Sequence, residues 1–253
     1  MSEPDLLILA LLFLAGGFAG FVDSIAGGGG LIALPALLAA GVPPHQALAT
    51  NKLQGTFGTL SATTNYIRLG HMRLGELLPG IAATLAGAAL GAWAVQQFSA
   101  GFLKGLIIVM MMAIFLYTLL TPKLGLEPKP HRIPHWLFHL LFGLLLGFYD
   151  GFFGPGTGSF WTLALVLLLG LDLKAATART KVFNLTSNIV ALVVFIFSGL
   201  VIWRIGLAMG AGQLAGAWAG STLVHRRDVS FIRVFFLLVV AATILKLLWE
   251  QFA

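Results

Sequence analysis

The sequence predicts an all-α polytopic membrane protein made of two inverted repeats. Each repeat is expected to hold about three full transmembrane helices and one broken or re-entrant glycine-rich helix pair, which gives about eight to ten spans in all. Three observations support this fold class: an apolar composition, ten apolar stretches in two series of five, and polar motifs that recur in both series.

The composition excludes a soluble domain. Of the 253 residues, 58% are hydrophobic and 9% are charged, whereas about a quarter of the residues in soluble domains are charged. So few charges cannot cover a water-soluble globule, but a lipid-facing surface needs none. The net charge of +6 comes from basic residues scattered singly between apolar runs. That distribution is typical of loops facing lipid headgroups and predicts no nucleic-acid partner.

The first series of apolar stretches fills the first half of the chain, at 6–26, 31–40, 47–66, 77–98 and 102–120. A transmembrane helix needs about 20 apolar residues, so the stretch 31–40 is too short to cross alone. It follows Gly27, Gly28, Gly29 and Gly30, and a glycine run before a short apolar segment is typical of a broken helix.

The second series repeats this order at 136–153, 160–171, 182–197, 201–224 and 231–248. Its short member, 160–171, follows a second break that contains Gly154, Gly156, Thr157 and Gly158. The sequence therefore predicts a first repeat at 1–120, a cytoplasmic linker at 121–134 and a second repeat at 135–253.

Motifs match between the halves at an offset of about 125 to 129 residues. Gly-Phe-Val-Asp at 20–23 matches Gly-Phe-Tyr-Asp at 147–150, Asn51-Lys52 matches Thr180-Lys181, and Gly-Ala-Trp-Ala occurs at 91–94 and at 216–219. Because each half makes an odd number of net crossings, the second half must be inverted. Glycines spaced four apart, such as Gly87 with Gly91, are interpreted as helix-packing positions.

The basic residues set the predicted orientation. The inverted arrangement gives one face nine of them and the other face Lys104, Arg204 and Lys246; the nine are Arg68, Arg73, Lys123, Lys129, Arg132, Lys174, Arg226, Arg227 and Arg233. Cytoplasmic loops carry the excess of Lys and Arg. We therefore expect a multi-pass membrane protein with both termini on the non-cytoplasmic side.

Four charged residues lie within or beside apolar runs: Asp23, Asp150, Lys52 and Lys181. A charge at the bilayer centre costs at least about 2.5 to 3.5 kcal/mol, so such residues need a reason to be there. Equivalent positions of an inverted repeat converge near the midplane. The sequence predicts one central site in which the aspartates pair with the lysines across the repeat interface or carry a coupled proton.

The two breaks point to an anion as the ligand of that site. A helix start offers N–H donors and the positive end of the helix dipole, and glycines let an anion approach the backbone. The candidate binding residues are Gly27, Gly28, Gly29, Gly30, Asn51, Lys52, Gln54, Gly154, Gly156, Thr157, Gly158, Thr180, Lys181 and Asn184, with Thr186, Ser187 and Asn188 nearby. Two alternatives stay open: the breaks are tight reversals, or the lysines extend to the membrane interface.

Other chemistry is not expected. The chain has no cysteine, and it lacks His-Glu-x-x-His, Gly-x-Ser-x-Gly and P-loop motifs, so we predict neither an enzyme nor a metal or cofactor site. His131, His135 and His139 are spaced four apart and are interpreted as residues at headgroup level. Asn65 and Tyr66, close to a loop, are interpreted as interfacial.

The motifs around the two breaks resemble one known family. Phe-Val-Asp-Ser-Ile-Ala-Gly-Gly-Gly-Gly-Leu at 21–31 and Ala-Leu-Ala-Thr-Asn-Lys-Leu-Gln at 47–54 are similar to the TauE/SafE family of sulfite and organosulfonate transporters. The second half agrees, at 147–158 and at 178–184, so the likeness covers nearly the whole chain. It implies a bacterial inner-membrane carrier with duplicated halves, linked to sulfite, sulfoacetate, thiosulfate and related anions.

The leading expectation is a secondary transporter that exports a small sulfur-containing anion by alternating access. The alternative is a passive anion channel or a membrane partner protein that transports nothing. The expected partners are the anion and the lipid bilayer, and the sequence leaves the oligomeric state open.

Overall fold

A computed structural model of the chain describes residues 5–72, 74–120 and 132–226. These ranges contain α-helices, one short 3-10 helix and no strand. The first half contributes α1 (Leu6–Ala26), α2 (Gly30–Ala39), α3 (Pro44–Arg68), α4 (Leu78–Val95) and α5 (Ala100–Leu120), with the 3-10 helix Leu74–Leu77 before α4. The second half contributes α6 (His135–Phe152), α7 (Thr157–Leu169), α8 (Leu173–Phe197) and α9 (Trp203–Arg226). The predicted stretch 231–248 and most of the linker 121–134 lie outside the described residues.

Several of these helices have the length and composition of membrane spans. Within the described residues, three segments are long and apolar enough to cross a bilayer: Leu6–Ile25, Leu74–Val95 and Leu173–Phe197. By contrast, α2 has 10 residues and α7 has 13. At about 1.5 Å per residue they span roughly 15 and 20 Å, short of a hydrocarbon core of about 30 Å. The all-α membrane class is therefore confirmed, and the inversion of the two halves stays a prediction.

Long helices of each half pack against helices of the other half. The first helix of each half packs along the fourth helix of the other half, α1 on α9 and α6 on α4. Glycines make both approaches close: a Cβ at Gly212 would lie 2.9 Å from Gly17 N, and a Cβ at Gly87 would lie 2.8 Å from Phe148 N. In lipid, small residues let helix backbones approach closely. The halves are thus interlocked rather than placed side by side.

The centre of the molecule is formed by α3 and α8, which pack against each other. Both helices have 25 residues, and both carry buried polar side chains through their middle. α3 also contacts α9, and α8 also contacts α4. Each lysine-bearing helix therefore lies in the interface between the halves.

The interpretation of Asn65 and Tyr66 as interfacial is wrong. Tyr66 is fully buried and its hydroxyl donates to the carbonyl oxygen of Ser24 at 2.8 Å, while Asn65 Nδ2 donates to Ser221 Oγ at 2.8 Å. α3 continues to Arg68 and its end is covered by α1 and α9. Nearness to a loop along the sequence therefore did not bring these residues to the surface.

His139 also differs from its interpretation as a headgroup-level residue. It lies inside α6, is buried, and its ring is 6.0 Å from the ring of Phe183 on α8. The helix begins at His135, four residues earlier, so His139 lies about one turn into α6.

Candidate functional site

The two glycine breaks meet at the centre of the molecule. Gly27 ends α1 with a φ of 77°, and Gly156 precedes α7 with a φ of 81°, a left-handed conformation that favours glycine. A Cβ at Gly27 would lie 2.6 Å from Gly158 Cα, and a Cβ at Gly30 would lie 3.0 Å from Pro155 Cα. Side chains at these positions would hold the breaks apart, so glycine is what lets them touch.

Beside this contact lie two ion pairs, each joining one half to the other. Lys52 Nζ on α3 is 2.6 Å from Asp150 Oδ1 on α6, and Lys181 Nζ on α8 is 3.1 Å from Asp23 Oδ2 on α1. Each lysine also donates to the main-chain oxygen of the same aspartate. All four side chains are mostly or fully buried. Opposite charges placed together lower the cost of burying each one.

The pair formed by Lys52 and Asp150 is the more enclosed of the two. The second carboxylate oxygen of Asp150 accepts from the Ser187 hydroxyl, and Lys52 Nζ also reaches Asn188 Oδ1 at 3.3 Å. An ammonium group has three donors, and all three of Lys52 are engaged. The Asp150 side chain is 5% exposed.

The pair formed by Lys181 and Asp23 is held less tightly. The second carboxylate oxygen of Asp23 accepts from the backbone amide of Gly29 at 3.1 Å. The Asp23 side chain is 13% exposed, whereas Lys181 is fully buried. Positions that match between the halves therefore have different surroundings.

A small polar cavity lies between the halves next to both pairs. Its volume is about 30 Å³, which is room for about two water molecules. Asp23, Lys52 and Asp150 are its charged lining residues. The complete lining is Asp23, Gly27, Gly30, Asn51, Lys52, Gln54, Gly55, Thr59, Asp150, Gly154, Gly156, Gly158, Asn184, Asn188 and Gln213.

Five candidate residues from the sequence do not line the cavity: Gly28, Gly29, Thr157, Thr180 and Lys181. Gly29 bonds Asp23, Thr157 Oγ1 donates to Gly154 O at 2.6 Å, and Thr180 Oγ1 lies 3.1 Å from Thr162 Oγ1. Gly29 and Thr157 therefore hydrogen-bond to residues of the lining, Asp23 and Gly154.

Sequence reasoning missed Gly55, Thr59 and Gln213, which all line the cavity. Gln213 lies in α9, on the helix face that contacts α1: a Cβ at Gly20 would lie 2.7 Å from Gln213 Cγ. A polar amide within the apolar stretch 201–224 is a signal that could have identified it.

Acceptor oxygens are prominent in the lining. In the described part of the chain, Gln54 Oε1, Asn184 Oδ1 and Gln213 Oε1 are buried without a hydrogen-bond partner. Gln54 Nε2 donates to Asn51 Oδ1 at 2.6 Å. Side-chain amides can present either a donor or an acceptor to a ligand. The site is therefore suited to a small polar or charged species.

The helix starts offer fewer free donors than a regular N-terminus. At α2, Leu31 N bonds Gly28 O and Ile32 N bonds Gly29 O, both at 3.0 Å. At α7, Thr157 N bonds Gly154 O at 3.1 Å and Ser159 N bonds Gly156 O at 3.0 Å. These amides close the turns of the breaks, so the dipole of each short helix remains but several of its first N–H groups are occupied.

The residues that the structure describes offer no set of ligands for a metal ion. Across residues 5–72, 74–120 and 132–226, no three His, Asp or Glu side chains are grouped closely enough to hold a metal ion.

One family model and three known proteins are similar to this chain over nearly its whole length. The model of the family described as "Sulfite exporter TauE/SafE" matches residues 12–247. "Probable membrane transporter protein ORF9" of Sinorhizobium sp is 46% identical over 248 residues, which covers 98% of this chain and 95% of that protein. "Probable membrane transporter protein YfcA" of Escherichia coli (strain K12) is 46% identical over 245 residues, covering 97% and 91%. A "Probable membrane transporter protein" of Haemophilus influenzae is 42% identical over 244 residues, covering 96% of both chains.

Proposed function

The chain belongs to the sulfite exporter TauE/SafE family and is a membrane transporter, and from this premise we propose what it carries and how. The proposed substrate is a small sulfur-containing anion, such as sulfite or an organosulfonate. The protein is a secondary transporter of the bacterial inner membrane, works by alternating access with export as the expected direction, and has no enzymatic activity.

The observation that carries this proposal is the polar cavity between the halves with an ion pair on each side. In transporters built from inverted repeats, the substrate site lies at the repeat interface and is formed by broken helices. The contact between Gly27 and Gly158 and the crossing pairs of Lys52 with Asp150 and Lys181 with Asp23 agree with that arrangement.

Lys52 is the lysine that faces the cavity, so it is the first candidate to hold the anion. Its three donors are occupied, and the longest of the three bonds is the one to Asn188, at 3.3 Å. An anion that replaces the Asn188 oxygen would pair an ionised acceptor with the ionised donor, which adds the attraction of opposite charges to this hydrogen bond. Asn51, Gln54 and Asn184 would orient the anion from the same lining.

Two contacts between the halves have matching sequence positions and are candidates for the two gates. Arg179 Nη2 on α8 lies 3.2 Å from Glu76 Oε2, and the matching residue Thr50 on α3 accepts from Ile202 N at 3.1 Å. In an inverted arrangement these contacts lie at opposite ends of the cavity, with the Arg179 contact at the cytoplasmic end. Breaking one while the other holds would open the cavity to one side at a time.

A flux assay tests the proposal. The purified protein in liposomes should take up ³⁵S-labelled sulfite with saturation. Lys52→Ala and Lys181→Ala should each lower uptake by about tenfold or more, because a hydrogen bond to a charged group is worth about 1.5 to 3 kcal/mol. Lys174→Ala, on the exposed surface of α8, is the matched control and should leave uptake unchanged.

Thermal unfolding of each variant in detergent checks that it is folded. Undiminished sulfite uptake by both lysine variants would contradict the role of the lysines. Uptake without saturation would favour the passive channel, and absence of uptake for sulfite and organosulfonates would favour a partner protein that transports nothing.

A further inference from the structure

The charges of the cavity do not suit an anion by themselves. Two carboxylates, Asp23 and Asp150, line it together with one ammonium group, that of Lys52. The fourth charge, on Lys181, is fully buried behind Asp23. The four groups sum to zero, so an anion that enters leaves an uncompensated negative charge in a buried site, beside two carboxylates that repel it. Uptake of one proton would restore neutrality.

We propose that Asp23 takes up a proton when the anion binds, so that anion and proton occupy the site together, and that Asp150 stays ionised as the fixed partner of Lys52. This inference rests on the proposed transport of an anion. It assigns different tasks to two aspartates that match between the halves.

Asp150 is fixed by its surroundings. One of its oxygens is 2.6 Å from Lys52 Nζ and the other accepts from the Ser187 hydroxyl. Both oxygens of Asp23 accept as well, from Lys181 Nζ and from Gly29 N, but each at 3.1 Å. Protonation therefore disturbs the shorter ion pair at Asp150 more than the longer one at Asp23. The residue that matches Ser187 in the first half is Gly58, at the same offset of 129 residues as between the lysines, and glycine supplies no hydroxyl to Asp23.

Asp23 has the features of the group that takes the proton. It is the more exposed carboxylate, at 13% against 5%, and its ion pair is the longer, at 3.1 Å against 2.6 Å. Its other oxygen is held by the Gly29 amide. Once Asp23 is neutral, the charge of Lys181 loses its partner and attracts the incoming anion. The carboxyl also gains an O–H donor in a cavity whose lining has unpartnered amide oxygens.

The charged and titratable groups around Asp23 come from the helices packed against α1. Lys181 from α8 pairs with it, Lys52 from α3 lies across the cavity, and the Tyr66 hydroxyl from α3 donates to the neighbouring Ser24 carbonyl. α2 and α7 carry no titratable side chain. α9 faces α1 with Gln213, and its basic residues Arg204, His225 and Arg226 lie near its ends.

Calorimetry with sulfite as the probe tests the proton directly. Titrating purified protein in two sodium-free buffers of different ionisation enthalpy gives the number of protons taken up for each sulfite bound. The proton that sulfite itself exchanges is common to all variants. The wild type should take up one proton more than Asp23→Asn, which mimics the protonated carboxyl and should still bind sulfite. Asp5→Asn is the matched control, because it makes the same carboxylate-to-amide change at an exposed residue whose side chain forms no capping hydrogen bond. It should bind sulfite with the proton number of the wild type.

Equal proton numbers for the wild type and Asp23→Asn overturn the proposal, as does binding that requires sodium and takes up no proton. Absence of sulfite binding by the wild type contradicts the proposed function itself. An infrared difference spectrum of the wild type upon sulfite addition covers the case in which Asp23→Asn does not fold. It should gain the carbonyl band of a protonated carboxyl group, and absence of that band overturns the proposal. Persistence of the band in folded Asp23→Asn assigns the proton to another group and also overturns the proposal.

Discussion

Gly27 and Gly158 are in direct backbone contact, although they belong to different halves of the chain. A Cβ at Gly27 would lie 2.6 Å from Gly158 Cα, and a Cβ at Gly158 would lie 2.5 Å from Gly27 Cα. Such distances are too short for a side chain, so any larger residue must push the two breaks apart. The cavity, which both glycines line, depends on this contact.

Gly27→Ala is therefore expected to abolish sulfite uptake and to lower the melting temperature. Gly41→Ala is the matched control, because Gly41 has nearly the same φ, 79° against 77°, but a Cβ at Gly41 would meet nothing within 4 Å. Both variants bear the left-handed strain of about 1 to 2 kcal/mol. Only Gly27→Ala adds the clash, so a Gly27→Ala protein as stable and as active as Gly41→Ala would contradict the contact.

The buried pair of Lys52 with Asp150 makes a prediction about stability. Lys52→Met or Asp150→Asn alone leaves one buried charge unpaired and should cost about 3 to 5 kcal/mol. The double variant should cost clearly less than the sum of the two, which a double-mutant cycle measures by unfolding in detergent. For comparison, Glu76→Gln removes one partner of a pair in which Glu76 is 55% exposed, and should cost at most about 1 kcal/mol. Additive effects at Lys52 and Asp150 would argue against the pair.

The two candidate gates can be followed by thiol labelling, because the chain has no native cysteine. Thr50→Cys and Arg179→Cys each introduce one thiol, at matching positions of the two halves. Thr50 is fully buried and Arg179 is 18% exposed. Sulfite should change the labelling rates of the two thiols by a soluble maleimide in opposite directions, since alternating access closes one end as it opens the other. Changes in the same direction would contradict alternating access.

The contact between His71 and His225 predicts a pH dependence of stability. His71 Nε2 lies 3.1 Å from His225 Nδ1, in the connection that follows α3. Burial, His225 and Lys174 lower the pKa of His71, against a smaller opposing effect of Asp172. The folded state therefore favours the neutral ring, and stability is lost as the pH falls below the unfolded pKa of about 6.5.

His71→Gln should flatten this part of the melting-temperature profile. The profile of the wild type should fall more steeply between neutral and acidic pH than that of the variant. Identical slopes for both proteins would mean that the His71 ring does not titrate in this contact.

The sequence predicted most helices closely because hydropathy alone defines them. The stretch 6–26 coincides with α1. The stretch 182–197 begins nine residues late, because Lys174, Arg179 and Lys181 lower the hydropathy of the first turns of α8. Asp172, whose side chain accepts from Ala175 N at 2.9 Å, marks the true start as an N-cap and was visible in the sequence.

The sequence identified part of the candidate site, because charged residues are rare in apolar stretches and here they occur at matching places in both halves. The sequence could not show how deeply each charged side chain is buried or whether it lines the cavity. Lys181 matches Lys52 in sequence, yet Lys52 lines the cavity and Lys181 is covered by Asp23. Such differences come from tertiary contacts, as with Ser187 on Asp150, and Gln213 enters the lining only through the packing of α9 on α1.

Counterflow of sulfite tests the central claim most directly. Liposomes that contain the protein are loaded with unlabelled sulfite and diluted into a trace of ³⁵S-labelled sulfite. A carrier that exposes one site alternately exchanges label for unlabelled sulfite, so the label should rise transiently above its equilibrium level inside. Monotonic equilibration without this overshoot, or entry no faster than into empty liposomes, would contradict the proposed transport of sulfite by alternating access.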